Sequence, residues 1–536
     1  MIERIIENWL DKASEKAFQI PFCYMLINQG HTIIHMTRHC GMEHGKDIIS
    51  RDKNGEICAY QLKGAPGSKI KLRDWQQEIQ GQIVQLVCTP VTHPSVTAGT
   101  VHKSFFVTNG GIEEEVSHAI MAMNQQWATL LLPYRVDTFV GGELKDMAKK
   151  LGNAFLPADI KDFKSLLEFL LEDGGGCLDK KKLANLINSV LTDEKVSRQK
   201  FRERMNSAAL LTSIALSNYI NLKNHFVVYE GWMIYLSSLL GYSAKHELSP
   251  KVYKNEYKIG EQLAINALED LWDELKERRN LLGNNPMEDT FFYPAQRLLN
   301  IGLMSNLGLY HLLNNRDFYH AALHKFITDH VGEISIWGES ALPHVLSCYW
   351  YLKTTGAETN ALELLNNALS AIIDASRDDE GLIGPYHSVD DCLNELYNHN
   401  DKIAGDRYQS YFIESFINLL TSQNSKEELS AHWPTITRFK FLSFGLATPP
   451  DFFNWRNSLG KEVLYLPKFP QDWTELQEIS NECSGDGLPD SIKKKPVLFP
   501  LLLSVMPQRA NAGFIRWFDN EIKKNQRHQV SDSKLF

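Results

Sequence analysis

At 536 residues, 43% hydrophobic and 23% charged, the chain has the make-up of a folded protein with more than one domain, and disorder over most of its length is excluded. A formal net charge of −9 excludes a general polyanion binder, so any contact with nucleic acid has to be local or metal-assisted. The eight cysteines are scattered without a CxxC pair, which fits free thiols in a reducing compartment better than a disulfide framework. Residues 1–14 are charged and amphipathic rather than a secretory signal, and no apolar run reaches spanning length. A cytoplasmic protein without membrane association is expected.

Apolar residues recur at helical spacing over residues 2–27, with Pro21 marking a bend or a new first turn. Glu15 falls on this helix. Gly30 closes it, and residues 31–36, with Thr32-Ile33-Ile34, read as a first strand.

Residues 41–64, GMEHGKDIISRDKNGEICAYQLKG, hold the most informative pattern: two short apolar strands joined at Asn54-Gly55, a pair suited to a two-residue type I′ hairpin turn. Along the second strand Ala59, Gln61 and Lys63 share one face, and Tyr60 and Leu62 the other. Asp47 precedes the turn. An Asp carboxylate and a Gln carbonyl are both hard oxygen ligands that suit Mg²⁺, and Lys63 is placed to orient a water or steady charge growing on a phosphate.

Next comes a helix with Asp74 as its cap, an apolar face of Trp75, Ile79, Ile83, Leu86 and Val87, and an outer face of Gln76, Gln77 and Gln80. Lys69, Lys71 and Arg73 form a basic cluster ahead of it. Residues 101–108 are a further strand ending in Asn109-Gly110-Gly111, and Glu113, Glu114 and Glu115 open the next helix, where acids complement the macrodipole.

The order helix, three strands, helix, strand, together with D…QxK, resembles the PD-(D/E)XK nuclease superfamily, and more narrowly its Mrr-like restriction endonucleases, in which Gln replaces the second acid. The resemblance covers about the first quarter of the chain. It implies an α+β protein: a restriction-endonuclease-like αβββαβ domain over residues 1–132, followed by helical sequence. It also implies Asp47, Gln61 and Lys63 as catalytic residues with Glu15 added from the first helix, Mg²⁺ (Mn²⁺ substituting) held by Asp47, Gln61 and Glu15, and DNA as substrate. Lys69, Lys71, Arg73, Gln77 and His44 are the candidate substrate contacts. By analogy, the expected role is a metal-dependent endonuclease in bacterial restriction or anti-phage defence, acting as a homodimer or higher assembly. A catalytically degenerate fold that binds nucleic acid or a protein is the alternative.

His31, His35, His39, Cys40 and His44 invite a zinc site, but no second cluster completes a tetrahedral set. From residues 133–142 onward the strand pattern stops, and residues 133–205 read as a helical linker broken at Gly174-Gly175-Gly176. Residues 206–536 read as a large all-α domain for sensing, target recognition or assembly, open to a protein or phage-derived trigger, with helix pairs that show no fixed repeat. Its loops carry Glu339, His344, His387, Asp390 and Asp391, as pocket-lining groups or as plain caps.

Overall fold

The computed structural model describes residues 7–36, 45–97, 99–152, 160–191, 197–277, 292–314, 320–332, 335–377, 381–392, 405–446, 448–454, 462–467, 470, 472–481 and 485–532. The chain is α+β and mostly helical, and divides into two compact units, Met1–Asn266 and Ala267–Phe536. Among the described residues no helix is long and apolar enough to cross a membrane.

The first unit begins with helix α1, Glu15–Asn28, capped by Ser14, whose side chain accepts from the Ala17 N–H. It runs through Pro21 without a restart, so the expected new first turn there is not seen, and Gly30, at φ +92°, ends it. Residues 17–27 of α1 are all buried. A helix buried on every side needs partners on both faces. Phe22 meets Tyr60 of the sheet, while Tyr24 meets Trp232 and Tyr235 of the helix His225–Lys245.

Strands β1 (Thr32–Met36), β2 (Ile48–Arg51), β3 (Ile57–Lys63), β4 (His102–Thr108) and β5 (Val136–Phe139) form a five-stranded sheet in that order among the described residues. The pairs β1/β2 and β2/β3 are antiparallel, and β3/β4 and β4/β5 parallel. Flanked by β4 along its length and by β2 as far as Tyr60, β3 is buried from Ile57 to Leu62. The turn after β2 differs from the expected one. The Asp52 N–H bonds the Glu56 carbonyl, the Gly55 N–H bonds the Asp52 carbonyl, and only Gly55 of the Asn-Gly pair has positive φ. This is the longer hairpin loop of Lys53, Asn54 and Gly55, in which one left-handed residue suffices. The Asp52 carboxylate favours it by accepting from the Asn54 and Glu56 N–H groups.

Helix α2 is composite, Leu72–Asp74, a π-turn Trp75–Ile79, then Gln80–Cys88. Its expected apolar face packs on the sheet with Ala59, Phe106 and Val136. Asp74 does not cap it. Lys71 is the N-cap without a side-chain bond, and the Leu72 N–H is instead taken by the Glu113 carboxylate from just before helix α3, Glu114–Thr129. Asn109, expected as a loop residue, is buried and ties three segments together, donating to the Leu10 and Ala13 carbonyls and accepting from the Ala65 N–H.

β5 lies where the strand pattern was expected to stop. Its four residues carry one fully buried side chain, Val136, and its identity as a strand comes from pairing with β4 rather than from alternation.

In the second unit Phe292–Asn314 packs on Leu342–Thr354, which packs on Glu358–Arg377, which packs on Ile413–Ser422; Ala512–Asp532 closes onto Ile413–Ser422 and Leu342–Thr354. This region is not all-α as expected. It contains a small sheet of β6 (Gln409–Ser410), β7 (Lys440–Phe444) and β8 (Glu462–Tyr465). Strands this short, edged by helices, leave little periodicity to detect.

Each unit buries charge. In the second, Asp519 is 0% exposed and accepts from Lys353 (2.6 Å), Tyr349 (3.0 Å) and Arg516 (2.9 Å). Burial pushes the Lys353 ammonium down to about 8 even with the carboxylate beside it. Asp519→Ala strands two buried cations and is expected to cost about 3–5 kcal/mol, read as a lowered denaturant midpoint. In the first unit, burial pushes Glu256 up to about 7 from the ordinary 4.5, against the weaker pull of a backbone bond and Arg202. A carboxyl raised in this way favours the folded chain fully below pH 4.5 and loses that contribution as pH rises toward 7. The loss is about 3 kcal/mol. Glu256→Gln is therefore expected to flatten the stability profile across that window and to be more stable than wild type at pH 8, checked by urea unfolding at several pH values.

Candidate active site

β2 starts only at Ile48, which pairs with Tyr60, so the edge of β3 beyond Tyr60 has lost its strand partner. In a strand alternate N–H groups point to one side, and here the Leu62 and Gly64 N–H groups need other acceptors. The Leu62 N–H donates to the Asp47 carboxylate at 2.6 Å, and the Gly64 N–H to the Glu15 carboxylate at 3.2 Å. The two donors are two residues apart, about 7 Å along the strand. The edge of β3 thus gathers one carboxylate from the segment before β2 and one from the first turn of α1.

Gln61 sits between these donors in sequence. Its Nε2 donates to Asp47 Oδ2 at 2.7 Å and to the Leu62 carbonyl at 3.3 Å. Asp47 and Gln61 are 7% and 4% exposed. The Gln61 Oε1 atom is buried without a hydrogen-bond partner. A buried carbonyl oxygen left without a donor costs about 1–3 kcal/mol, and a cation or water at this spot removes that cost.

The expected alternation along β3 holds. Ala59 packs under α2, and Lys63, on the same face, pairs with Glu78 of the π-turn at 3.1 Å. Tyr60, on the other face, meets Phe22 of α1 and Phe105. α2 passes so close that a Cβ on Gly45 would lie 2.4 Å from the Gln82 carbonyl oxygen and 3.3 Å from Gln61 Oε1. Gly45 also has φ +72°.

Asp47, Gln61, Glu15 and Lys63 are therefore brought to one end of β3. Lys69, in the short strand Lys69–Ile70, Lys71 just before α2, and Arg73 and Gln77 in its first turns are all exposed. Arg73 bonds Gln77, whereas Lys69 and Lys71 enter no ion pair among the described residues. His44, His39 and Cys40 lie outside the described residues. His31 bonds Ser50, and His35 faces the His93 ring at 5.9 Å, both with pKa lowered chiefly by burial. Among the described residues no group of three or more His, Cys, Asp or Glu is placed to hold a metal. That excludes an all-protein cage there but not two carboxylates with an amide oxygen, since Mg²⁺ keeps several waters.

Two residues of this region had no sequence signal. Lys46 is 4% exposed, and burial pushes its ammonium down to about 8. A lysine between a glycine and an aspartate reads as surface, and only the sheet reveals otherwise. Glu78 belongs to no motif, and its pairing with Lys63 emerges only when α2 lies against β3. In the second unit, Glu339 is buried and accepts from Ser410 and the Tyr411 N–H, while Asp391 and Ser388 cap each other's backbone. Asp391 is thus a cap and Glu339 a long-range tie, and a cleft of about 430 Å³ is lined by Ser443, Tyr465, Asp486 and Asn511 among others.

Gly45→Ala is expected to destabilise the first unit by about 2 kcal/mol or more, through a left-handed backbone and a carbonyl that cannot move aside. Thermal unfolding would show it. Comparison with family models, with characterised proteins and with solved structures found no match in any of the three.

Proposed function

We propose that the first unit is a metal-dependent nuclease of the PD-(D/E)XK kind, acting on DNA, with Asp47, Gln61 and Glu15 as the metal-binding set and Lys63 as the catalytic ammonium. The observation that carries this is that two carboxylates bond N–H groups two residues apart at one end of β3, with a buried, unpartnered amide oxygen on Gln61 between them in sequence and Lys63 next along the chain. The order α1, β1, β2, β3, α2, β4, with the fourth strand parallel to the third, supports the same reading.

The donor set suits Mg²⁺, or Mn²⁺ in its place. Gln61 Oε1 and the carboxylates supply hard oxygens, and two or three protein ligands leave room for waters and a phosphate oxygen. When bound, the ion supplies charge neutralisation at the phosphate and an acidified water. The chain's own residues do the rest. Asp47 is held by the Leu62 N–H of a buried strand and Glu15 by the Gly64 N–H just past its end, which limits the reorganisation the site needs. The Lys63 ammonium steadies negative charge on the non-bridging oxygens as water adds to phosphorus and the P–O bond to the leaving sugar oxygen breaks. Lys69, Lys71 and Arg73 offer a basic rim for flanking phosphates, with Gln77 beside them. Cutting both strands calls for two such sites, hence a homodimer or larger assembly. The second unit is assigned a sensing or target-recognition role within bacterial restriction or anti-phage defence, by analogy.

A second reading, a non-cutting binder, has one observation in its favour: Gln61 Nε2 and the Leu62 N–H already satisfy Asp47 Oδ2. Calorimetric titration with Mn²⁺ separates the two, because a degenerate site takes up no ion.

Purified wild type is expected to nick or linearise supercoiled plasmid with Mg²⁺ or Mn²⁺. Asp47→Ala should abolish cutting, and Lys63→Ala should lower kcat about 10²–10³-fold with folding intact. Wild-type rates in both variants would rule the nuclease out. Lys69→Ala with Lys71→Ala is expected to make the log–log salt dependence of duplex binding shallower by about 2, the mark of two lost phosphate contacts.

A further inference from the structure

Lys63 stands on a flexible four-carbon stem, and a catalytic ammonium has to be held where the phosphate arrives. The geometry points to Glu78 as the residue that holds it: we propose that Glu78 is a positioning residue for Lys63, an inference that rests on the nuclease reading above. Glu78 Oε1 lies 3.1 Å from Lys63 Nζ, and the lysine side chain is 17% exposed against 66% for the glutamate. A pair this open contributes little to stability. Its consequence is directional.

The helix is shaped to present this carboxylate. Glu78 lies within the π-turn Trp75–Ile79, whose ends Trp75 and Ile79 are both buried. A π-turn inserts one residue into the helix, so side chains before and after it are turned relative to one another, and such turns recur at functional sites. Here the buried stripe continues through Ile83 and Leu86, while Glu78 is left facing the end of β3. The Gln82 carbonyl comes so near Gly45 that no Cβ fits between them, and this close approach sets α2 beside Gln61. One rigid helix thus forms a wall beside the amide oxygen and carries the counter-charge of the ammonium.

The test uses the full chain, supercoiled plasmid and Mg²⁺. Glu78→Gln is expected to lower kcat about tenfold with KM within about twofold. Glu78→Asp should recover most of the loss, and Glu78→Gln should add nothing in a Lys63→Ala background. Mn²⁺ affinity by calorimetry should equal wild type, since Glu78 is not a ligand. An unchanged or raised kcat in Glu78→Gln, the same loss in the Lys63→Ala background, or lost Mn²⁺ binding would each overturn the proposal. Mass-spectrometric measurement of Lys63 acylation by an amine reagent gives an arm independent of cutting. Glu78→Gln is expected to raise the Lys63 labelling rate several-fold, and an unchanged rate overturns the pairing. A wild type that cuts nothing removes the nuclease reading, and the labelling then still decides whether Glu78 fixes Lys63.

Discussion

The candidate site follows from an unfinished hydrogen-bond ladder. β3 extends past the start of β2, so the N–H groups of buried Leu62 and of half-buried Gly64, just past the strand's end, would be left bare. Two carboxylates complete the edge. Backbone satisfaction of this kind is close to obligatory in folded proteins. Here its solution sets two carboxylates on the backbone to either side of Lys63. The same bonds that finish the sheet set Asp47 and Glu15 two residues apart along the end of β3.

α1 connects this edge to the rest of its unit. Its first turn supplies Glu15, its middle packs Phe22 on Tyr60, and its opposite face packs Tyr24 on Trp232 and Tyr235. The N-terminus of the helix is fixed further by Asn109, which bonds two carbonyls just before it and the Ala65 N–H just after β3. Glu15 is therefore placed by packing along the length of α1 rather than by local chain geometry. The helical layer beyond β5 serves as the other half of the clamp on α1.

Both units carry buried polar groups that hydrophobic packing alone does not call for. Glu256, near Tyr24 and Tyr235, and Asp519, within reach of two buried cations, lie in regions that an apolar core could fill. Replacing such groups with apolar ones is often neutral or stabilising, so their presence is weak evidence for stability as such. Around Asp519 every strong donor has a matched acceptor, including the Arg516 guanidinium on Ser480 and Asn481. That arrangement ties Ala512–Asp532 to Leu342–Thr354 through Asp519, Lys353 and Tyr349.

The amino-acid sequence by itself determined what depends on local rules. The helix ending at Gly30, the period of two that puts Gln61 and Lys63 on one face, and the apolar stripe from Trp75 to Val87 each follow from near-neighbour backbone and burial preferences. The tertiary structure alone decided what depends on partners distant in the chain. β5 is a strand because β4 lies beside it, and the helix at Leu72 is capped by Glu113 rather than Asp74. The second unit gains a small sheet whose strands are too short to show a pattern. Lys46 and Glu78 belong to the same class. Burial of the one and the pairing of the other are set by which surface α2 covers, a long-range packing outcome that the spacing of residues along the chain does not encode.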